Sequence, residues 1–115
     1  MDEQGHEIII PRYKLIMSYD VIPSNHERYF RFIMSELVPA LQEEGIYMTE
    51  AWHTAYGEYP LRMAGFVAED LETIRDMLES DHWAELEEQF RGYVRNYSVH
   101  IVPYRQGFQF VHSMS

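Results

Sequence analysis

Six patterned segments follow one another along this chain in the order strand, helix, strand, strand, helix, strand, and that order narrows the possible folds more than any single residue does. Tyr13–Tyr19 (YKLIMSY) is rich in strand formers. Its odd positions, Tyr13, Leu15, Met17 and Tyr19, share one face, and Lys14, Ile16 and Ser18 share the other. Pro23 stops this strand. Ser24 and Glu27 then have the spacing of a capping box, in which each side chain satisfies an orphan backbone N–H. Phe30, Ile33, Met34, Leu37 and Leu41 recur at helical spacing and are expected inward, with Arg28, Arg31, Glu36, Glu43 and Glu44 on the polar side. Pro39 lacks an N–H and should kink this helix or end its first segment. Gly45 is the expected C-terminal stop.

The second half repeats the scheme. Ile46–Tyr56 and Tyr59–Ala68 flank Gly57 and Glu58 and read as a β-hairpin, with Pro60 near the start of its second strand. Asp70 is placed to cap a helix with Leu71, Ile74, Met77 and Leu78 inward. Ser80-Asp81 interrupts it, and Asp81 is placed to cap a further piece with Trp83, Leu86, Phe90 and Tyr93 inward. Asn96–Val102 alternates and ends at Pro103. The expected fold class is therefore α+β: a ferredoxin-like βαββαβ arrangement with a four-stranded antiparallel sheet and both helices on one face. The other face is left open, with Tyr19, Trp52 and Phe66 as candidates on it. Such a face calls for a partner, and a second copy closing a dimeric α/β barrel is the simplest one.

Composition agrees and excludes several classes. A chain of 115 residues can hold one core, so a single domain over 1–115 is expected. Its body spans about 12–103, with a polar arm at 1–7 and a tail at 105–115 anchored by Phe108 and Phe110. The absence of cysteine excludes disulfides and thiolate chemistry. A formal charge of −10 argues against a nucleic-acid partner, because a phosphate backbone selects basic surfaces. Asp2 and Glu3 stand where a signal peptide would carry positive charge, and no apolar run approaches a membrane span. A cytoplasmic location with no membrane partner is the resulting expectation.

Spaced residues across 13–103 carry a family resemblance. Tyr19, Pro23 and Tyr29 mark the end of the first strand and the helix start. Leu37, Pro39, Ala40, Leu41 and Gly45 form an L-x-P-A-L…G helix ending. Trp52 and Gly57 form a W…G hairpin, and Asp81 with Trp83 begins the last helical piece. In these the chain resembles the dimeric α/β-barrel superfamily and, within it, the NIPSNAP-like proteins. Two departures stand out: Leu15 and Met17 replace a polar pair on the first strand, and Ala64 replaces a histidine in the hairpin. The resemblance implies a homodimer with a cavity in each subunit for a small apolar, aromatic or keto compound. The chemistry it implies is proton transfer or oxygenation, as in cofactor-independent monooxygenases or isomerases. A haem-degrading monooxygenase is a further alternative, but its set includes an Asn on the first strand, where this chain has Ser18.

No phosphate-binding glycine loop, dinucleotide fingerprint, metalloprotease helix or nucleophile elbow occurs, so no cofactor or metal is expected and any site must be assembled by the fold. His6 and His112 belong to the arms, and His26 and His82 to helix starts at the surface. His53 and His100 lie within strands, where a histidine can move a proton near neutral pH or serve as an ordinary hydrogen-bonded rim residue. Alternation puts Tyr97, Val99 and Ile101 on the helix-packed side and turns His100 toward the barrel interior. His100 is thus the candidate proton-transfer residue. Arg62 is the candidate for stabilising oxyanion charge, with pairing to Glu50 or Glu58 as its structural alternative. Tyr19, Trp52, Phe66, His53 and Glu50 complete the candidate pocket, the aromatic members as walls or as plain core. A one-residue slip of register would reverse every face. The competing function is a non-catalytic dimerisation or binding module whose barrel interior is simply packed.

Overall fold

The computed structural model describes the backbone of residues 9–54 and 61–104, and side chains within 9–51 and 62–104. The 1–7 arm, the 105–115 tail, the turn around Gly57 and Pro60, and the side chains of Trp52 and His53 lie outside the described residues.

Four strands form one antiparallel sheet: β1 (Tyr13–Val21), β2 (Tyr47–Thr54), β3 (Leu61–Ala68) and β4 (Val94–Pro103). Their order in space is β2-β3-β1-β4. Helical pieces fill the two crossovers: α1 (His26–Phe32) and α2 (Val38–Glu43) in the first, α3 (Leu71–Leu78) and α4 (Asp81–Arg91) in the second. This is the ferredoxin-like arrangement expected from the segment order.

The first crossover departs from expectation in an instructive way. No capping box forms at Ser24 and Glu27. Pro23–Asn25 makes a turn of 3-10 helix instead, and no side chain caps it or α1. Between α1 and α2 the chain widens into a π-helical turn at Ile33–Leu37. Pro39, two residues beyond, has no N–H for the carbonyl four residues back, and its ring would press on that carbonyl. The wide turn removes the conflict without breaking the helix. The 3-10 start and the π turn also shift the helical phase. Tyr29, Phe32, Ile33, Leu37, Ala40 and Leu41 are buried, whereas the expected core residues Phe30 and Met34 are 57% and 49% exposed.

The other termini follow their sequences closely. Gly45, at φ +87, ends α2 with Gly45 N–H donating to Gln42 C=O and Ile46 N–H to Leu41 C=O, the double bond pattern of a Schellman stop. Asp70 Oδ1 accepts from the Thr73 N–H and hydroxyl at 2.9 and 2.7 Å, which holds its carboxyl below the usual carboxylate range. Ser80, not Asp81, caps α4, its hydroxyl accepting from the Trp83 N–H at 3.1 Å.

The core lies between the sheet and the helices. Leu15, Met17 and Tyr19 from β1 and Ala64, Phe66 and Ala68 from β3 project into it beside Ile74, Met77, Trp83, Leu86 and Phe90. Phe90 is fully buried and central, with ring centroids 4.9 Å from Tyr19, 5.0 Å from Tyr97 and 6.4 Å from both Tyr29 and Phe32. Tyr97 also donates to Glu87 Oε2 at 2.8 Å, and burial pushes its phenol well above the ordinary value. Two bulges bend the sheet. One places an extra residue, Thr49, in β2. The other lies in β4 opposite Ser18–Asp20, where Asn96 takes φ 54 and donates to Asp20 Oδ2 at 2.8 Å.

Candidate functional site

The sheet separates the candidate residues into two groups. Tyr19 and Phe66 were expected on the open face, but both point under the helices, at 2% and 0% exposure. Their strands alternate as expected; the parity is reversed, because Leu15 and Met17 share Tyr19's face and supply apolar core. The departures noted from related sequences, Leu15, Met17 and Ala64, are all buried on this same side.

On the open face, Glu50 forms an ion pair with Lys14 across β2 and β1. The pair lies over Gly65, where a Cβ would sit 2.9 Å from Lys14 Cε and 3.0 Å from Glu50 Cγ. Lys14 Nζ is also 5.3 Å from the centre of the Tyr104 ring. His100 is exposed on this face, paired in register with Ile16. Charge therefore occupies the middle of a face expected to be aromatic. The packing of Tyr97, Val99 and Ile101 against the core confirms the alternation read for β4.

Arg62 lies on the helix side. Its Nη2 donates to His26 Nε2 at 2.8 Å, and its guanidinium carbon is 5.5 Å from the centre of the Tyr29 ring. It pairs with neither Glu50 nor, among the described residues, any other acid. Arg62 and His100 thus stand on opposite sides of the sheet, and one small molecule cannot touch both within a subunit. A guanidinium has donors only, so His26 Nε2 must be the accepting nitrogen, which places the ring proton on Nδ1.

Around Arg62 a groove of about 230 Å³ opens between α1 and the sheet. Phe30, Ile33, Met34, Met48 and Ala51 supply apolar wall, and Tyr19 and Tyr29 form its inner end. Their hydroxyl oxygens are 2.6 Å apart and bonded to one another. Burial, with Tyr29 beside it, pushes the Tyr19 phenol well above its ordinary value; the Arg62 charge opposes this more weakly. Tyr19 therefore stays a neutral hydroxyl. Apolar walls with a few converging polar groups are the usual make-up of a small-molecule site.

Of the expected site residues, the fold brings Tyr19 and Arg62 together and sends Glu50 and His100 to the opposite face. Phe66 is core. By backbone register His53 is the partner of Arg62 and Trp52 of Met63. Sequence reasoning missed His26 and Tyr29 as one unit. Their i, i+3 spacing on a helix put them on one face, but the partner that unites them is an arginine from a distant strand.

No family model matches the sequence, and no curated protein matches it. Solved structures do resemble the chain. A conserved protein from Bacteroides thetaiotaomicron, described as of unknown function and a possible oxidoreductase, has 12% identity and a TM-score of 0.65, covering 82% of this chain and 98% of that one. A NIPSNAP domain protein from Burkholderia xenovorans has 8% identity and a TM-score of 0.62, over 84% and 96%. A NIPSNAP family protein from Agrobacterium tumefaciens has 11% identity and a TM-score of 0.59, over 96% and 99%. The chain thus has a NIPSNAP-like fold. Among the described residues, no helix is long and apolar enough to cross a membrane.

Proposed function

We propose that the groove beside α1 binds a small apolar or aromatic compound through an acidic oxygen, such as a phenol, an enol or an enolisable ketone. The observation that carries this reading is the meeting of Arg62 with the Tyr19–Tyr29 hydroxyl pair at one end of an otherwise apolar groove. The volume falls below the roughly 300–1,000 Å³ of sites for drug-sized ligands, which fits a compound of one or two rings.

Arg62 would turn one or more guanidinium donors onto the ligand oxygen and favour its anionic form. Once Arg62 Nη2 leaves it for the ligand oxygen, the lone pair of His26 Nε2 is free to accept the proton released. Proton abstraction of this kind is the step that an isomerase or a cofactor-independent oxygenation would share. His100 takes no part in this groove. The open face, with Ile16, Val67 and Val102 beside the Lys14–Glu50 pair, would meet a second copy and close a homodimeric barrel.

The test uses 4-nitrophenol, whose phenolate absorbs visible light. Wild-type protein should bind it with phenolate absorbance appearing at a pH where the free compound is protonated. Arg62→Met should weaken binding about tenfold or more, since a charged hydrogen bond contributes about 1.5–3 kcal/mol. An identical titration in the variant, or no spectral change in wild type, would refute the reading.

A further inference from the structure

A second cleft lies on the other flank of α1. It measures about 360 Å³, opens between α1 and α4, and shares no lining residue with the groove around Arg62. Arg28, Arg31 and Ser35 follow at intervals of three and four residues, so one side of the helix presents all three to the cleft. Gln89 faces them from α4. Tyr93, half-buried, and the edge of the buried Phe32 form an aromatic floor, with ring centroids 5.6 Å apart and planes tilted by 47°.

The charge pattern is what singles this cleft out. The chain has 19 acidic and 9 basic side chains, so an exposed arginine has many potential partners. Among the described residues, Arg28 and Arg31 have no ion pair; the pairs formed are Lys14–Glu50 and Arg91–Glu87. Two guanidiniums one helical turn apart repel each other slightly. Here they stand together over an aromatic floor, with a hydroxyl and an amide alongside and one acid, Glu36, in the lining.

We propose that this cleft binds a small molecule carrying an oxyanion on a planar apolar body. Arg28 and Arg31 hold the oxygens in charge-assisted bonds, with Ser35 and Gln89 as neutral donors. The planar body lies against the Tyr93 ring, with the edge of Phe32 beneath it. Glu36 repels the anion and so directs it to the arginine end.

The experiment is a nuclear magnetic resonance titration of the full chain with phenyl phosphate, benzoate and inorganic phosphate in parallel. Saturable shifts are expected at the Arg28 and Arg31 side-chain N–H groups, the Gln89 amide and Tyr93. The double variant Arg28→Gln, Arg31→Gln should keep the wild-type spectrum elsewhere and bind about a hundredfold more weakly, at about tenfold per charged contact. Inorganic phosphate, lacking the ring, should bind less tightly than phenyl phosphate. Tighter binding of phenyl phosphate than of benzoate assigns phosphate esters, and the reverse assigns carboxylates. The proposal is overturned by the absence of saturable shifts, by undiminished binding in the double variant, by equal binding of inorganic phosphate, or by shifts centred on Arg62 and Tyr29 instead.

Discussion

The hydroxyl pair Tyr19–Tyr29 makes a quantitative prediction. The two oxygens are 2.6 Å apart, and among the described residues neither has another hydrogen-bond partner. Both residues are buried, Tyr19 to 2% exposure and Tyr29 to 6%. Replacing one by Phe removes the bond and leaves the other hydroxyl without a partner, a penalty of about 1–3 kcal/mol. Tyr29→Phe should be the costlier change, because it orphans the more deeply buried Tyr19 hydroxyl. Replacing both removes the bond but leaves no orphan, so the double variant should lose about 0.5–1.5 kcal/mol. The double-mutant cycle should therefore show a coupling of about 1.5–4.5 kcal/mol, with the double variant more stable than the sum of singles predicts. Urea unfolding of the four proteins measures this, given unchanged dependence on denaturant concentration. Additive single effects, within about 0.5 kcal/mol, would refute the claim that these hydroxyls satisfy each other.

Three further outcomes follow from the same structure. Gly65→Val should force the Lys14–Glu50 pair off the sheet and cost about 1–3 kcal/mol by urea unfolding, and the loss should shrink in a Lys14→Ala background; an equal loss in both backgrounds would place the strain elsewhere. Ser80→Ala should cost about 1 kcal/mol as a lost cap while Asp81→Ala costs less, and the reverse order in thermal melts would restore Asp81 as the cap. Tyr19 titrates above its unfolded value in the native protein, so its contribution is full below pH about 10 and is lost as pH rises, at about 1.4 kcal/mol per pH unit. In an alkaline titration the tyrosinate band of Tyr19 should thus appear together with unfolding; its appearance in the still-folded protein would contradict the burial argument.

Much of the fold was legible because its signals are local. Asp70, Gly45 and the alternation of Tyr97, Val99 and Ile101 act through nearest neighbours and the period of the element. Two features were not local. Alternation on β1 grouped Leu15, Met17 and Tyr19 correctly, but nothing within a strand says which parity meets the helices. The inward face of the first helix depends on helical phase, which the 3-10 turn at Pro23 and the π turn before Pro39 both alter. That is why Tyr29 and Phe32 occupy the places assigned to Phe30 and Met34. The groove inherits both effects: Phe30 and Met34 become its wall instead of core, and Tyr19 becomes its inner end instead of barrel interior. The Arg62–His26 contact spans 36 residues and depends on the mutual placement of α1 and β3, which no spacing in the sequence encodes.

A crystal structure of the protein with 4-nitrophenol tests the central claim most directly. The ring should lie between Phe30, Met34 and Met48, its acidic oxygen on the Arg62 guanidinium near the Tyr19–Tyr29 pair. An empty groove at saturating ligand, or a ring bound with its oxygen turned away from Arg62, would contradict it.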